Sequence, residues 1–192
     1  TEELLMEALR RAKGVTGDTP LRVLDIGTGS GILPIAWKSH RPGDEVHGLD
    51  LQTEALELAT ANAERLGCAV DFHRIDILQQ QPAGGIFSAP FDVILSNPPY
   101  IPQADRSEML PNVVDWEPPS ALFVEDGDPL LFYRRIIEGC GTEGWLTRGG
   151  LLALECHRDA TKQVVDLIPE NWEAKERFRD LQGNWRMVFA RS

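Results

Sequence analysis

The chain has 192 residues and a formal net charge of −11, with 42% hydrophobic and 26% charged residues. This length and composition are typical of one soluble globular domain with its own core, and no apolar run approaches the ~20 residues that a membrane-spanning helix needs. The acidic balance argues against a protein that binds nucleic acid through clustered Lys and Arg, and it favours neutral or basic partners.

Strand-like and helical patterns alternate along the chain. Helices are predicted at residues 2–13, 30–40, 53–66, 129–138 and 159–168, and strands at residues 21–26, 45–50, 70–75, 91–96, 151–154, 172–178 and 185–190. This α/β alternation predicts a mostly parallel, seven-stranded sheet with helices on both faces. The last two strands are joined through Gly183-Asn184, a turn dipeptide, which predicts an antiparallel C-terminal hairpin.

Two further segments are predicted as loops. Residues 79–90 are polar and contain Gly and Pro, and residues 101–128 form a long stretch with several prolines directly after Tyr100. Long loops in compact domains are often functional. We therefore expect the second loop to be a lid over a site at the end of the preceding strand.

A glycine-rich segment, Asp25-Ile26-Gly27-Thr28-Gly29-Ser30-Gly31, joins the first predicted strand to the helix after it. Glycines in that context let the backbone turn tightly and approach a ligand closely. The dinucleotide pattern GxGxxG is not met, because Ile32 or Pro34 stands where its third glycine would be. The spacing Asp/Glu-x-Gly-x-Gly-x-Gly is instead typical of S-adenosylmethionine sites. We predict that this cofactor is held by Asp25, Gly27, Thr28, Gly29 and Gly31.

Two acidic residues stand at the ends of the next two strands. Asp50 lies 23 residues after Gly27, where an acidic residue accepts hydrogen bonds from ribose hydroxyls; the alternative is a residue that begins the next helix. Asp76 follows the third strand, and its carboxylate either accepts a hydrogen bond from an adenine amino group or caps a loop. The neighbouring residues Leu51 and Ile77 belong to the same predicted cofactor site.

The segment Asn97-Pro98-Pro99-Tyr100 follows the fourth predicted strand. The side-chain oxygen of Asn97 and the carbonyl of Pro98 can each accept a hydrogen bond from an –NH2 group, and the two prolines restrict the backbone. Tyr100 offers a ring face for a flat group. These features favour methylation of a planar amide or amine nitrogen, although Asn-Pro and Pro-Pro also mark turns. Because ligands of open α/β sheets bind beyond the carboxyl ends of the strands, Asn97 is expected beside the cofactor site.

Taken together, the motifs resemble the HemK/PrmC family of protein-(glutamine-N5) methyltransferases. The resemblance spans residues 1–192 and is carried by DIGTGSG, Asp50, NPPYIP, Trp116-Glu117-Pro118-Pro119-Ser120-Ala121-Leu122 and Tyr133-Arg134-Arg135-Ile136. It implies a Rossmann-like, class I S-adenosylmethionine-dependent methyltransferase. Such an enzyme methylates the glutamine of the GGQ motif in peptide-chain release factors and leaves S-adenosylhomocysteine as product. It also implies catalytic roles for Asn97, Pro98 and Tyr100, and substrate contacts from these residues, Pro99 and Glu117, with Asn97 bordering the cofactor.

The resemblance also bears on domain organisation. We expect residues 1–192 to form one methyltransferase catalytic domain. The N-terminal helical domain of the family is absent from this sequence, and residues 1–13 are expected to be the end of the linker helix that follows it. Residues 125–129, Glu-Asp-Gly-Asp-Pro, replace a glycine-rich stretch of the family and are expected to reshape the lid.

The expected partner is a release factor that presents its GGQ loop to a monomeric enzyme, which binds neither membranes nor nucleic acid directly. The three cysteines form no CxxC motif, which argues against a disulfide framework or a zinc site. The four histidines have no metal-ligand spacing. We therefore expect no metal, and a reducing intracellular compartment, either a mitochondrion or a bacterial cytoplasm.

Two other functions remain open. An adenine-N6 methyltransferase acting on DNA or RNA would also use NPPY, because adenine presents an –NH2 group on a planar ring. The acidic charge and the lack of a basic stretch argue against it. A cofactor-binding partner subunit without catalysis is the second alternative, but such a protein has no need of the Asn97 side chain.

Overall fold

The computed structural model describes residues 1–16, 19–79, 85–98, 101–102, 123–124 and 128–192. The helices in these ranges are α1 (Glu2–Thr16), α2 (Ile32–His40), α3 (Thr53–Leu66), α4 (Leu131–Gly141) and α5 (Thr161–Leu167), with a short 3-10 helix at Gly85–Ser88. The strands are β1 (Arg22–Ile26), β2 (Glu45–Asp50), β3 (Asp71–Arg74), β4 (Phe91–Ser96), β5 (Ile101–Pro102), β6 (Phe123–Val124), β7 (Leu146–Glu155), β8 (Glu173–Arg179) and β9 (Trp185–Arg191).

Seven of these strands form one sheet in the order β3-β2-β1-β4-β7-β9-β8. The five strands from β3 to β7 in this order pair in parallel, and β9 is antiparallel to both of its neighbours. The predicted α/β fold, a mostly parallel seven-stranded sheet with an antiparallel C-terminal hairpin, is confirmed. Inside the predicted loop 101–128, β5 and β6 form a separate parallel pair that the sequence did not indicate.

Strand β7 is longer than predicted. The sequence analysis predicts a strand only at residues 151–154. In the structure the strand begins at Leu146, and its pairing with β4 is irregular between Phe91 and Val93. Gly149 has a φ of 76°, a conformation that glycine adopts without strain. The glycines are therefore accommodated in a bulge rather than ending the strand.

The sheet has an apolar core on each face, because successive side chains of a strand point to opposite sides. One core contains Leu24, Ile94 and Leu152 together with residues of α4 and α5. The other contains Val23, Leu95 and residues of α1 and α2. Strands buried on both faces read as apolar runs, which is why β1, β4 and the second half of β7 were recognisable in the sequence.

Helix α1 packs on the sheet through one apolar stripe, formed by Leu4, Leu5, Ala8, Leu9 and Ala12, all buried. Its Arg11 guanidinium lies 4.5 Å from the centre of the Phe189 ring and forms a 2.8 Å ion pair with Glu176. These contacts hold the second half of α1 against β8 and β9. Among the helices of the described ranges, none is both long and apolar enough to cross a membrane.

The strand order places a reversal of direction at the centre of the sheet. From β1 the chain builds outward through β2 and β3 on one side, and later through β4 and β7 on the other. Such a reversal opens a crevice beyond the carboxyl ends of the strands, which is where ligands bind in open α/β sheets.

Candidate functional site

The polar residues predicted from the sequence gather at this carboxyl edge. Asp25 is the next-to-last residue of β1, Asp50 ends β2, and Asn97 follows the last residue of β4. Asp76 follows two residues after β3. Because β3, β2, β1 and β4 are consecutive in the sheet, these four side chains line one continuous edge.

The glycine-rich segment turns sharply away from β1 into α2. The N–H groups of Gly27 and Thr28 both donate to the carbonyl of Leu49, at 2.9 and 2.8 Å. Gly27, Gly29 and Gly31 have φ values of 74°, 53° and 80°, in the left-handed region that only glycine adopts readily. At Gly27 and Gly29 no atom of the described residues lies within 4 Å of where a Cβ would stand. The loop therefore presents bare backbone to open space, as a ligand cradle requires.

Asp50 ties this loop to the second strand. Its Oδ2 accepts a 2.9 Å hydrogen bond from the N–H of Gly29, and its Oδ1 accepts one of 3.0 Å from Gln52, the residue before α3. The carboxylate therefore supports the start of α3, as the alternative interpretation had it. Each carboxylate oxygen has a second lone pair, so the same group retains the capacity to accept from two ribose hydroxyls.

Asp25 carries a buried carboxylate that lacks a full set of partners. The residue is 1% exposed, and neither its Oδ1 nor the hydroxyl of Thr28 has a hydrogen-bond partner among the described residues. Burial raises the pKa of Asp25 to about 7; the nearby Thr28 hydroxyl opposes this increase, and the negative charge of Asp50 adds to it. A buried acceptor without a partner calls for an explanation, and a cationic ligand group next to the glycine loop would supply one.

The residues after β3 divide between two roles. Asp76 Oδ1 accepts a 3.0 Å hydrogen bond from the N–H of Leu78, which is the loop-capping geometry that the sequence left open. Ile77 is 6% exposed and belongs to the core, so that only its backbone is available to a ligand. Leu51, in contrast, is 48% exposed and presents an apolar surface next to Asp50.

Asn97 presents an amide oxygen at the end of β4. Its Nδ2 donates a 3.1 Å hydrogen bond to the hydroxyl of Thr1, whereas its buried Oδ1 has no hydrogen-bond partner within the described residues. Pro98 is buried beside it. Pro99, Tyr100 and Glu117 lie outside the described residues, and their predicted roles are not tested by the structure.

Sequence reasoning missed three residues that shape this edge. In Gly48, within β2, a Cβ would lie 2.8 Å from the Phe72 ring and 2.9 Å from Thr28 Oγ1; a glycine inside a strand is itself a signal of such close approach. Thr1 contacts Asn97, and Glu155 ends β7 and contacts Thr1. Neither contact could be found from the sequence, because each joins residues about 100 or more positions apart.

Arg135 on α4 supports the loop that holds Ile77. Its Nε donates a 2.7 Å hydrogen bond to the carbonyl of Ile77, and its guanidinium pairs with Glu143 at 2.7 Å. The same group lies 4.5 Å from the centre of the Trp145 ring. Arg135 already belongs to one of the motifs that carry the family resemblance. In the structure its side chain supports the backbone of Ile77.

Metal-binding chemistry has no visible basis in the described part of the chain, which contains no group of three or more His, Cys, Asp or Glu residues arranged to hold an ion. Cys68, Cys140 and Cys156 carry free thiols. Burial raises the pKa of the Cys140 and Cys156 thiols, which disfavours the reactive thiolate form.

Comparison with known proteins places these features in context. Residues 1–115 match the family model described as methyltransferase small domain. A release factor glutamine methyltransferase of Bacteroides thetaiotaomicron is 41% identical over 170 residues, covering 88% of this chain and 59% of the relative. A protein of the same name from Deinococcus radiodurans is 40% identical over 193 residues, covering 100% of this chain and 64% of the relative. The chain thus spans about three-fifths of the length of these relatives.

Among solved structures, TrmN from Thermus thermophilus superposes with a TM-score of 0.65 at 23% identity, covering 98% of this chain and 48% of that one. At this identity the likeness concerns the fold alone. The names of the curated relatives agree with the resemblance that the motifs carry, and the solved structure agrees with the predicted Rossmann-like sheet.

Proposed function

Since this chain belongs to the methyltransferase small domain family, we propose that it is an S-adenosylmethionine-dependent protein-(glutamine-N5) methyltransferase acting on the GGQ glutamine of peptide-chain release factors. The observation that carries the proposal is the side chain of Asn97, whose amide oxygen is buried at the carboxyl edge of the sheet without a hydrogen-bond partner among the described residues. The shared name of the curated relatives supports the choice of substrate.

The described residues fit the cofactor. The bare glycine backbone lets a ligand approach closely. The exposed Leu51 side chain offers an apolar surface to an aromatic base. The Asp25 carboxylate, which lacks a full set of partners among the described residues, suits a positively charged group. In this proposal the segment from Asp25 to Gly31 holds the methionine part, Asp50 the ribose, and Leu51, Asp76 and the backbone of Ile77 the adenine. When bound, S-adenosylmethionine supplies an electrophilic methyl group on a sulfonium.

The task of the protein is to make an amide nitrogen react. An amide nitrogen is a poor nucleophile, because its lone pair is delocalised into the carbonyl. Asn97 Oδ1 and the carbonyl of Pro98 accept its two hydrogens, which orients the nitrogen and stabilises the positive charge that develops on it. Tyr100 packs on the amide plane, and Pro99 and Glu117 complete the substrate contacts in this proposal. No strong base is required before attack, since the proton can leave afterwards.

The finer expectations of domain, partner and location belong to the same proposal. Residues 1–192 act as the catalytic domain, a monomer that receives the GGQ loop of the release factor and contacts neither membrane nor nucleic acid. The three free thiols are compatible with a reducing intracellular compartment.

A labelled methyl-transfer assay tests the proposal. The protein is incubated with S-adenosylmethionine carrying a labelled methyl group and, separately, with a release factor, with the same factor in which GGQ is changed to GGA, and with DNA. We expect label on the intact release factor alone. Label on DNA would instead support an adenine-N6 methyltransferase, and cofactor binding without transfer to any substrate would support a non-catalytic subunit.

A further inference from the structure

Asn97 is the end of a chain of hydrogen bonds that leads away from the site. Its Nδ2 lies 3.1 Å from Thr1 Oγ1, and Thr1 Oγ1 lies 3.0 Å from Glu155 Oε2. The three side chains come from different parts of the sequence: the residue before α1, the residue after β4 and the last residue of β7. These residues are far apart in the sequence and come into contact only in the folded protein.

Glu155, the last residue in this series of hydrogen bonds, is held in place by its strand and by an ion pair. Strands β4 and β7 are neighbours with Ser96 opposite Leu154, so that the next residues, Asn97 and Glu155, stand side by side at the sheet edge. The Glu155 side chain is 10% exposed. Its carboxylate forms an ion pair with Arg186 at 3.8 Å.

The donor and acceptor capacity of these groups determines the direction of each hydrogen bond. An ionised carboxylate can only accept hydrogen bonds, and a hydroxyl has one hydrogen to donate. The Thr1 hydroxyl must therefore donate to Glu155, which leaves it only lone pairs for Asn97. A lone pair can be shared only with the –NH2 end of the Asn97 amide. The amide oxygen is consequently turned to the other side, where it has no hydrogen-bond partner among the described residues.

We propose that Thr1 and Glu155 are positioning residues that fix the orientation of the Asn97 amide, so that its oxygen and not its –NH2 group faces the substrate nitrogen. The proposal rests on the function proposed above, in which Asn97 must accept a hydrogen bond from the glutamine amide. A reversed Asn97 would present hydrogens to the hydrogens of that amide. We call these two hydrogen bonds, Asn97 to Thr1 and Thr1 to Glu155, the relay. Without the relay both orientations of the Asn97 amide would be populated, and only one of them would accept a hydrogen bond from the substrate.

The variant Thr1→Val tests the relay with little other change. It removes the hydroxyl and keeps the shape of the side chain. Thr1→Ser restores the hydroxyl. Thr60→Val is the matched control, since Thr60 Oγ1 lies on the exposed face of α3 and donates to the carbonyl of Leu56, away from the site.

The first readout does not depend on activity. In ¹⁵N-labelled protein, the side-chain –NH2 signals of Asn97 are identified as the pair that Asn97→Ala lacks. We expect Thr1→Val to shift these signals and to speed their exchange with water, because the Nδ2 group loses its acceptor. Thr1→Ser and Thr60→Val should leave them in place. Unchanged Asn97 signals in Thr1→Val would overturn the relay, whether or not the protein methylates anything.

The second readout is kinetic. In Thr1→Val, kcat for methyl transfer to the release factor should fall about tenfold, the loss expected for one hydrogen bond of about 1.4 kcal/mol, while Kd for S-adenosylmethionine stays within about twofold. Glu155→Gln should also lower kcat although the Thr1 hydroxyl is present, because an amide can donate as well as accept. Full kcat in both variants would overturn the proposal. Absence of transfer by the unchanged protein would refute the proposed function instead, and the spectra would still decide the relay.

Discussion

Burial disfavours the ionised form of the Asp25 side chain. Its carboxylate is almost entirely enclosed, and burial raises its pKa from 3.8 to about 7. The motif identified Asp25 from the sequence, but it could not reveal this shift, because burial depends on the strands that flank β1. The folded protein therefore binds a proton at Asp25 more tightly than the unfolded chain does.

This difference predicts a pH-dependent cost in stability. A group whose pKa is higher in the folded state makes folding less favourable as pH rises, here from about 4 to about 7, and the loss is complete above pH 7. Relative to Asp25→Asn, the free energy of unfolding of the unchanged protein should fall by up to about 1.4 kcal/mol per pH unit in that window. Denaturant titrations of both proteins at pH 5, 6, 7 and 8 measure it. Parallel profiles would contradict the assigned shift.

At the level of elements, α4 links the apolar core to the predicted cofactor loop through Arg135. Its hydrogen bond to Ile77 and its stacking on Trp145 hold the residues after β3 against the sheet. We expect Arg135→Leu to weaken S-adenosylmethionine binding about tenfold, the effect of losing one charge-assisted hydrogen bond of about 1.5 kcal/mol. Isothermal titration calorimetry measures the affinity.

The neighbouring Arg134 provides the control, because its ion pair with Asp128 is on the surface and surface pairs contribute little. Arg134→Leu should bind the cofactor within about twofold of the unchanged protein. Equal affinities in the two Leu variants would show that Arg135 does not support the loop.

The same helix depends on a close contact with Trp145, the residue before β7. A Cβ on Gly139 would lie 2.3 Å from Cε3 of Trp145, which is fully enclosed and cannot move aside. Gly139→Ala should therefore lower the free energy of unfolding by about 1–3 kcal/mol. Gly141→Ala is the matched control, since its Cβ would meet nothing closer than 3.8 Å and alanine favours a helix.

Thermal and denaturant unfolding of the two variants make the comparison. A Gly139→Ala protein as stable as Gly141→Ala would contradict the packing described for α4. The sequence did not indicate this requirement, because the helix predicted at residues 129–138 ends before Gly139, whereas the observed helix continues to Gly141.

At the scale of the whole molecule, local patterns were sufficient for the architecture. Apolar runs buried on both faces identified β1, β4 and part of β7, and Gly183-Asn184 identified the hairpin. The long β7 was underestimated, because whether Gly149-Gly150 ends a strand or bulges depends on its pairing with β4. Strand order also depends on such long-range pairing, and alternation alone does not determine it.

The site was predictable to a similar degree. Motifs placed Asp25, Asp50 and Asn97 at one edge, because each follows or ends a recognisable strand. The contacts around Asn97 and Ile77, from Thr1, Glu155 and Arg135, join residues that are 58 to 154 positions apart. These contacts form only when helices have packed on both faces of the sheet, which is why no local sequence pattern predicts them.

The most direct test of the central claim separates cofactor binding from methyl transfer in Asn97→Ala. The account assigns Asn97 to the substrate amide, so this variant should bind S-adenosylmethionine within about threefold of the unchanged protein, because one peripheral contact contributes little. Transfer to the release factor should fall by at least about 100-fold, as when a preorganised hydrogen-bond group is removed. Calorimetry and labelled transfer measure the two quantities on the same preparation. Transfer at the unchanged rate, with the label still on the GGQ glutamine, would contradict the account.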